Sequence, residues 1–127
     1  MSIVRFDPFA DLLTNSRWVP AVDIFENGKQ ELVFKAELPD MKREDIAVVY
    51  ENNTLTLKGE RKFEGDVKQE QFHRVERAYG AFSRSFSLPS TVDATRIAAE
   101  YKNGVLTITL PFREESRPRT INVEVAA

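Results

Sequence analysis

Asn103-Gly104-Val105-Leu106-Thr107-Ile108-Thr109-Leu110-Pro111 is the stretch on which the fold turns. Leu106, Ile108 and Leu110 recur at every second position, the period of a strand that buries one face. Asn103-Gly104 in front of them is a turn pair that tolerates positive φ, and Pro111 behind them closes the run.

The same grammar extends outward in both directions. Just upstream, Ile97, Ala99 and Tyr101 form another apolar row. Before it, Phe82, Arg84, Phe86 and Leu88 share one face, Ser83, Ser85 and Ser87 take the other, and Pro89 ends the strand. Leu55 and Leu57 carry a core face as far as Gly59, preceded by Ile46, Val48 and Tyr50 and a turn at Asn52-Asn53. Leu32, Phe34, Ala36 and Leu38 alternate until Pro39-Asp40 breaks them. Val19 to Glu26 runs into Asn27-Gly28, a hairpin signal. Short strands joined by Asn and Gly turns, with no long helical period, predict an all-β, immunoglobulin-like antiparallel β-sandwich.

Three zones follow: an apolar arm at residues 1–18, the sandwich at 19–112 and a tail at 113–127. The arm concentrates Phe6, Phe9, Leu12, Leu13 and Trp18. Asp7-Pro8 suits the start of a helical turn, in a segment too short for a stable helix of its own. The tail begins as a polar tether containing Pro118 and ends in an alternating strip, Ile121-Asn122-Val123. That strip reads either as a last strand of its own sheet or as a segment for strand addition elsewhere, with two β-branched anchors. Between Gly59 and Phe72 lies a charged run, Glu60 to Gln71, with an exposed tip at Glu64-Gly65-Asp66. A strand pattern resumes around Phe72. Loops of this length inside compact domains usually have a use, and one use is to add a strand to a neighbouring subunit.

Composition narrows the function. Lys plus Arg is 18 against Asp plus Glu at 20, for a net charge of −2, with the signs interleaved. Phosphate binding needs a basic excess or patch, so nucleic acid is not expected as the main partner. There is no Cys and a single His, which excludes disulfides, thiolate metal sites and any site with two imidazoles. The N-terminus has no basic region followed by a long apolar run, and no segment is long enough to span a bilayer. A cytoplasmic location is expected, with no membrane as main partner.

Catalytic patterns are missing as well. None of the Gly-rich phosphate loops, the nucleophile elbow or the paired-His zinc motif occurs. His73, in a charged strand Phe72-His-Arg-Val-Glu-Arg77, reads as solvated or ion-paired. Glu44-Asp45 fits a polar connection, and Glu114-Glu115 sits in the tail. No enzyme activity and no cofactor are expected. Arg84 stands out, because a guanidinium in an apolar row needs carboxylates or carbonyls. Either a strand end or bulge turns it to water, or it makes a buried or interfacial ion pair that sets subunit register.

Four segments, taken together and in order, resemble the small heat shock proteins, whose core is the α-crystallin domain. Trp18-Val-Pro-Ala-Val-Asp-Ile-Phe-Glu26 is similar to that family's first core strand. Ala36-Glu-Leu-Pro-Asp40 with Asp45-Ile46 is similar to its next strand and turn. Residues 103–111 are similar to its most recognisable signature, and Ile121-Asn122-Val123 to its C-terminal motif. The resemblance, to the bacterial and plant type, covers about residues 18 to 125. It implies an ATP-independent holdase that keeps partly unfolded client proteins soluble. Such proteins assemble as strand-exchanged homodimers and then as larger homo-oligomers.

By the same resemblance, the charged loop carries the exchanged strand, placed at Val67, Lys68 and Gln69. Its acceptor is Ala21, Val22, Asp23, Ile24 and Phe25 of a partner, and Arg84 is the family's core arginine at the dimer interface. Ile121 and Val123 dock in a neighbour's groove lined by Ile46, Val48, Ile97 and Ala99. The arm residues Phe6, Phe9, Leu12, Leu13 and Trp18 bind clients, from an arm shorter than is usual in the family. The competing reading is a monomeric β-sandwich co-chaperone or adaptor with one defined partner.

Overall fold

A computed structural model of the chain describes residues 18–63, 65–114 and 118–126. Phe6, Phe9, Leu12 and Leu13 lie outside the described residues. Among the described residues, seven strands run in chain order: β1 (Val22–Glu26), β2 (Glu31–Glu37), β3 (Ile46–Glu51), β4 (Thr54–Arg61), β5 (Gly80–Ser87), β6 (Ala98–Lys102) and β7 (Val105–Pro111). They form two antiparallel sheets, one ordered β1-β2-β7-β6 and the other β3-β4-β5. The expected all-β sandwich is what the chain builds.

The alternating rows become the two inner faces. β2 and β7 align Phe34 with Ile108 and Ala36 with Leu106. Leu55 and Leu57 of β4 and Phe82 of β5 meet them from the other sheet, in one cluster with Leu38, Val92 and Leu110. Leu38, Leu55, Ile108 and Leu110 are fully buried. At about 25 cal/mol per Å² of apolar surface, such a cluster is the main favourable term in the fold.

The two-residue turns behave as their residues dictate. Asn52 and Asn53 have φ of 51° and 58°, and Asn103 and Gly104 have 54° and 76°. Paired positive φ matches the right-handed twist of the strands each turn joins. The β1–β2 connection differs from expectation. Positive φ falls on Gln30, at 60°, and not on Asn27-Gly28. The Asn27 carboxamide oxygen accepts from the Lys29 and Glu31 amides, so the side chain organises a longer loop instead of a two-residue turn.

A second difference lies after the charged run. The strand expected to resume around Phe72 begins only at Gly80. Residues 72–79 are irregular. Phe72 and Tyr79 both turn onto Phe63, edge-on at 5.5 Å and stacked at 4.1 Å respectively. Aromatic packing takes side chains that a strand would have displayed on its face. His73 therefore lies exposed on an irregular segment, not on a strand.

Candidate functional site

The two sheets end in different edge strands, and where β3 meets β6 a groove of about 420 Å³ opens between them. Ile46 and Val48 line it from β3, Ala99, Glu100 and Tyr101 from β6, and Leu106 from β7, with Arg43 at its margin. Ile46, Val48 and Ala99 are thus brought together. Ile97 is not among the lining residues, because it precedes β6 and packs against the core. Tyr101 and Leu106 were visible only as core rows. The Tyr101 hydroxyl donates to the Leu38 carbonyl oxygen and accepts from the Met41 amide, so its ring is held at a fixed angle in the groove.

The apolar side chains of the tail strip are open to solvent. Ile121 is 79% exposed and Val123 88% exposed. Residues 118–126 pair with no strand among the described residues, which removes the reading of a last strand in the sheets described.

β1 is the other edge of the four-stranded sheet. Its residues Val22 to Phe25, with Ala21 just before, keep one side paired to β2 and, among the described residues, leave the other side unpaired. Ile24 and Phe25 are exposed there, and Lys35 lies 5.9 Å over the Phe25 ring. An open edge with apolar side chains is a template for another strand. The segment placed opposite it, Val67 to Gln69, is not a strand in the single chain. A one-turn 3-10 helix spans Gln69–Gln71, and the Lys68 amide donates to the Gln71 side chain. Among the described residues no strand pairs with this segment, and its backbone bonds locally, the Gln71 amide to the Lys68 carbonyl oxygen and the Phe72 amide to that of Gln69.

Arg84 sits mid-strand, half-buried, opposite Leu57. The β4–β5 register runs unbroken from Thr54↔Ser87 to Arg61↔Gly80, so no bulge turns Arg84 outward. Its guanidinium donates to the Pro20 carbonyl oxygen at 3.2 Å and lies 5.0 Å over Phe86. Among the described residues it makes no ion pair within the chain.

Arg61 was missed from the sequence, where it is one charge in a charged run. It is 8% exposed and donates to the Ala78 and Pro39 carbonyl oxygens. Burial, and then the charge of Arg77, lowers its pKa from the ordinary arginine value. Among the described residues, no three His, Cys, Asp or Glu side chains gather as a metal site. No helix there is long and apolar enough to cross a membrane.

The profile of the Hsp20/alpha crystallin family matches residues 24–125, which takes in both sheets and the tail strip. The chain belongs to that family. Small heat shock proteins from bacteria and plants align along its length. Spore protein SP21 of Stigmatella aurantiaca is 38% identical over 95% of this chain and 76% of that one. The 16.9 kDa class I heat shock protein 1 of Triticum aestivum is 37% identical over 99% of each. The small heat-shock protein of Xylella fastidiosa, for which a distinct high order structure is described, superimposes with a TM-score of 0.70. It is 42% identical, over 85% of this chain and 98% of that one. The sandwich is therefore an α-crystallin domain, and membership of a small heat shock protein family supports a chaperone role.

Proposed function

We propose that this small heat shock protein is an ATP-independent holdase that captures partly unfolded proteins and keeps them from aggregating. It is built from dimers in which the 62–79 loop of one copy adds a strand to β1 of another. The dimers are joined when Ile121 and Val123 of one copy enter the groove at Ile46 and Val48 of the next. One observation carries this reading. The chain displays an exposed pair of β-branched anchors and, elsewhere, an apolar groove between two sheet edges. Two complementary patches on one molecule join copies head to tail.

The energetics suit a reversible store. Full burial of an Ile or Val side chain contributes about 1.5–3 kcal/mol. Ordering the tether and immobilising a subunit offset much of that. One tail contact is weak, while many in a closed assembly hold together. Warming or a competing client frees tails, and the groove and arm then meet unfolded chains. Large apolar patches left permanently exposed would instead drive aggregation.

The test is light scattering from a heat-stressed model enzyme, with and without this protein, in the absence of ATP. Suppression at stoichiometric amounts is expected, and its absence would end the holdase reading. A monomeric mass in solution would favour the adaptor instead.

A further inference from the structure

Arg61 is the one buried charged side chain among the described residues. It closes β4, and the 62–79 loop leaves from it and returns at its register partner Gly80. Its planar fork reaches three segments far apart in the chain. Nε donates to the Ala78 carbonyl oxygen at 2.7 Å, at the returning root of the loop. Nη1 donates to the Pro39 carbonyl oxygen at 3.2 Å, in the turn after β2. The ring of Trp18, where the arm meets the domain, covers the guanidinium with its centroid 4.0 Å away.

A second layer ties the same root. Tyr79 stacks on Phe63, and Arg77 pairs with Asp40 at 2.7 Å, beside Pro39. The tip beyond, residues 65–71, is exposed throughout. The loop is thus set at its base and open at its end.

Arg61 makes no ion pair among the described residues. A buried guanidinium must then be compensated by carbonyl oxygens and π-faces. The Trp18 ring is one of those faces, and it also shields the site, meeting Phe82 edge-on at 4.9 Å. Once that ring leaves, water reaches Arg61, and hydration competes with the bonds to Ala78 and Pro39. We propose that Arg61 is a positioning residue that couples the seat of Trp18 to the set of the 62–79 loop, so that drawing Trp18 off the domain loosens the loop's hold on a second copy. This rests on the reading that the loop reaches a second copy. By linkage the coupling is mutual, so a copy that holds the loop also holds Trp18 in place.

The full chain tests this directly, because Trp18 is its only tryptophan. Trp18→Leu keeps apolar bulk and removes the π-face. Amide hydrogen exchange across residues 63–79 should rise roughly two- to thirtyfold, the span of a cation–π contact. Exchange in β2 and β7 should stay at the wild-type rate, which shows that the sandwich is intact. Dimer dissociation on dilution should shift to higher concentration by a similar factor. Arg61→Lys, which keeps the charge and loses the fork, should loosen the loop as well. In the wild type, dilution to monomers should shift Trp18 emission to the red. In Arg61→Gln the emission should already be red-shifted and insensitive to dilution, an outcome that a merely structural arginine would not produce. Wild-type loop exchange in both Trp18→Leu and Arg61→Lys would overturn the coupling. A loosened loop with unchanged dimer dissociation would overturn its effect on the second copy. In that case, replacing residues 65–69 by Gly and Ser locates the fault. An unchanged dimer mass there would condemn the loop-exchange reading rather than the coupling at Arg61.

Discussion

A Cβ on Gly59 would stand 2.4 Å from the Asp45 carbonyl oxygen and 3.0 Å from the Phe82 ring. Neither neighbour is free to leave, since Asp45 leads into β3 and Phe82 is part of the core. Gly59 faces Ile46 across the ladder, so its missing side chain lets the groove-lining end of β3 close onto β4. Gly59→Ala should cost about 1–3 kcal/mol by overpacking, read as a lower urea midpoint with an unchanged slope. A wild-type midpoint would mean that the Asp45 backbone yields. Arg84 is the other residue whose surroundings define an outcome. Removing it abandons the Pro20 carbonyl oxygen and uncovers Phe86. Arg84→Gly should cost about 1.5–3 kcal/mol, the range for hydrogen bonds to a charged group. Comparing the loss in dilute and concentrated samples separates fold from dimer. A loss confined to concentrated samples assigns Arg84 to the interface, and no loss in either sample assigns it to neither.

The strands show which signals survive translation into structure. Leu106, Ile108 and Leu110 are buried as their spacing demanded, because a period of two leaves a buried sheet face no other solution. Asn52-Asn53 and Asn103-Gly104 turn as written, because few other residues accept two positive φ angles in succession. The failures have a common cause, which is competition from side chains distant in sequence or outside the local pattern. Phe72 leaves its strand pattern for the Phe63 ring, Asn27 spends its carboxamide on the loop backbone, and β4 runs two residues past Gly59 to reach Arg61. The groove was half legible. Ile46, Val48 and Ala99 follow from strand rows, but which sheet edges face each other is not encoded in any one strand. The tail is the element where pattern and structure agree on exposure. Ile121→Gly with Val123→Gly should shrink the assembly toward dimers, measured by size exclusion with light scattering. The domain's own melting should barely move, since both side chains are largely exposed. An unchanged mass would sink tail docking.

At the scale of the whole molecule, the proposed pairing of the loop tip with the β1 edge makes folding and association share one free energy. A partner that binds the native state alone stabilises it by mass action. For a dimer that unfolds to separate chains, a tenfold rise in concentration adds about 1.4 kcal/mol per dimer. Divided between two protomers, that should raise Tm by about 2–4 °C in a domain of this size. The tail double variant should keep this concentration dependence, because the proposed dimer is joined through β1 and the loop. A variant with residues 65–69 replaced by Gly and Ser should lose it, because the strand that β1 would accept is gone. The two variants therefore separate the two interfaces: one changes mass without changing the slope of Tm against concentration, and the other changes both. A Tm independent of concentration in the wild type would leave β1 as an unused edge. It would also move the protein toward the monomeric adaptor, whose stability does not depend on its own abundance.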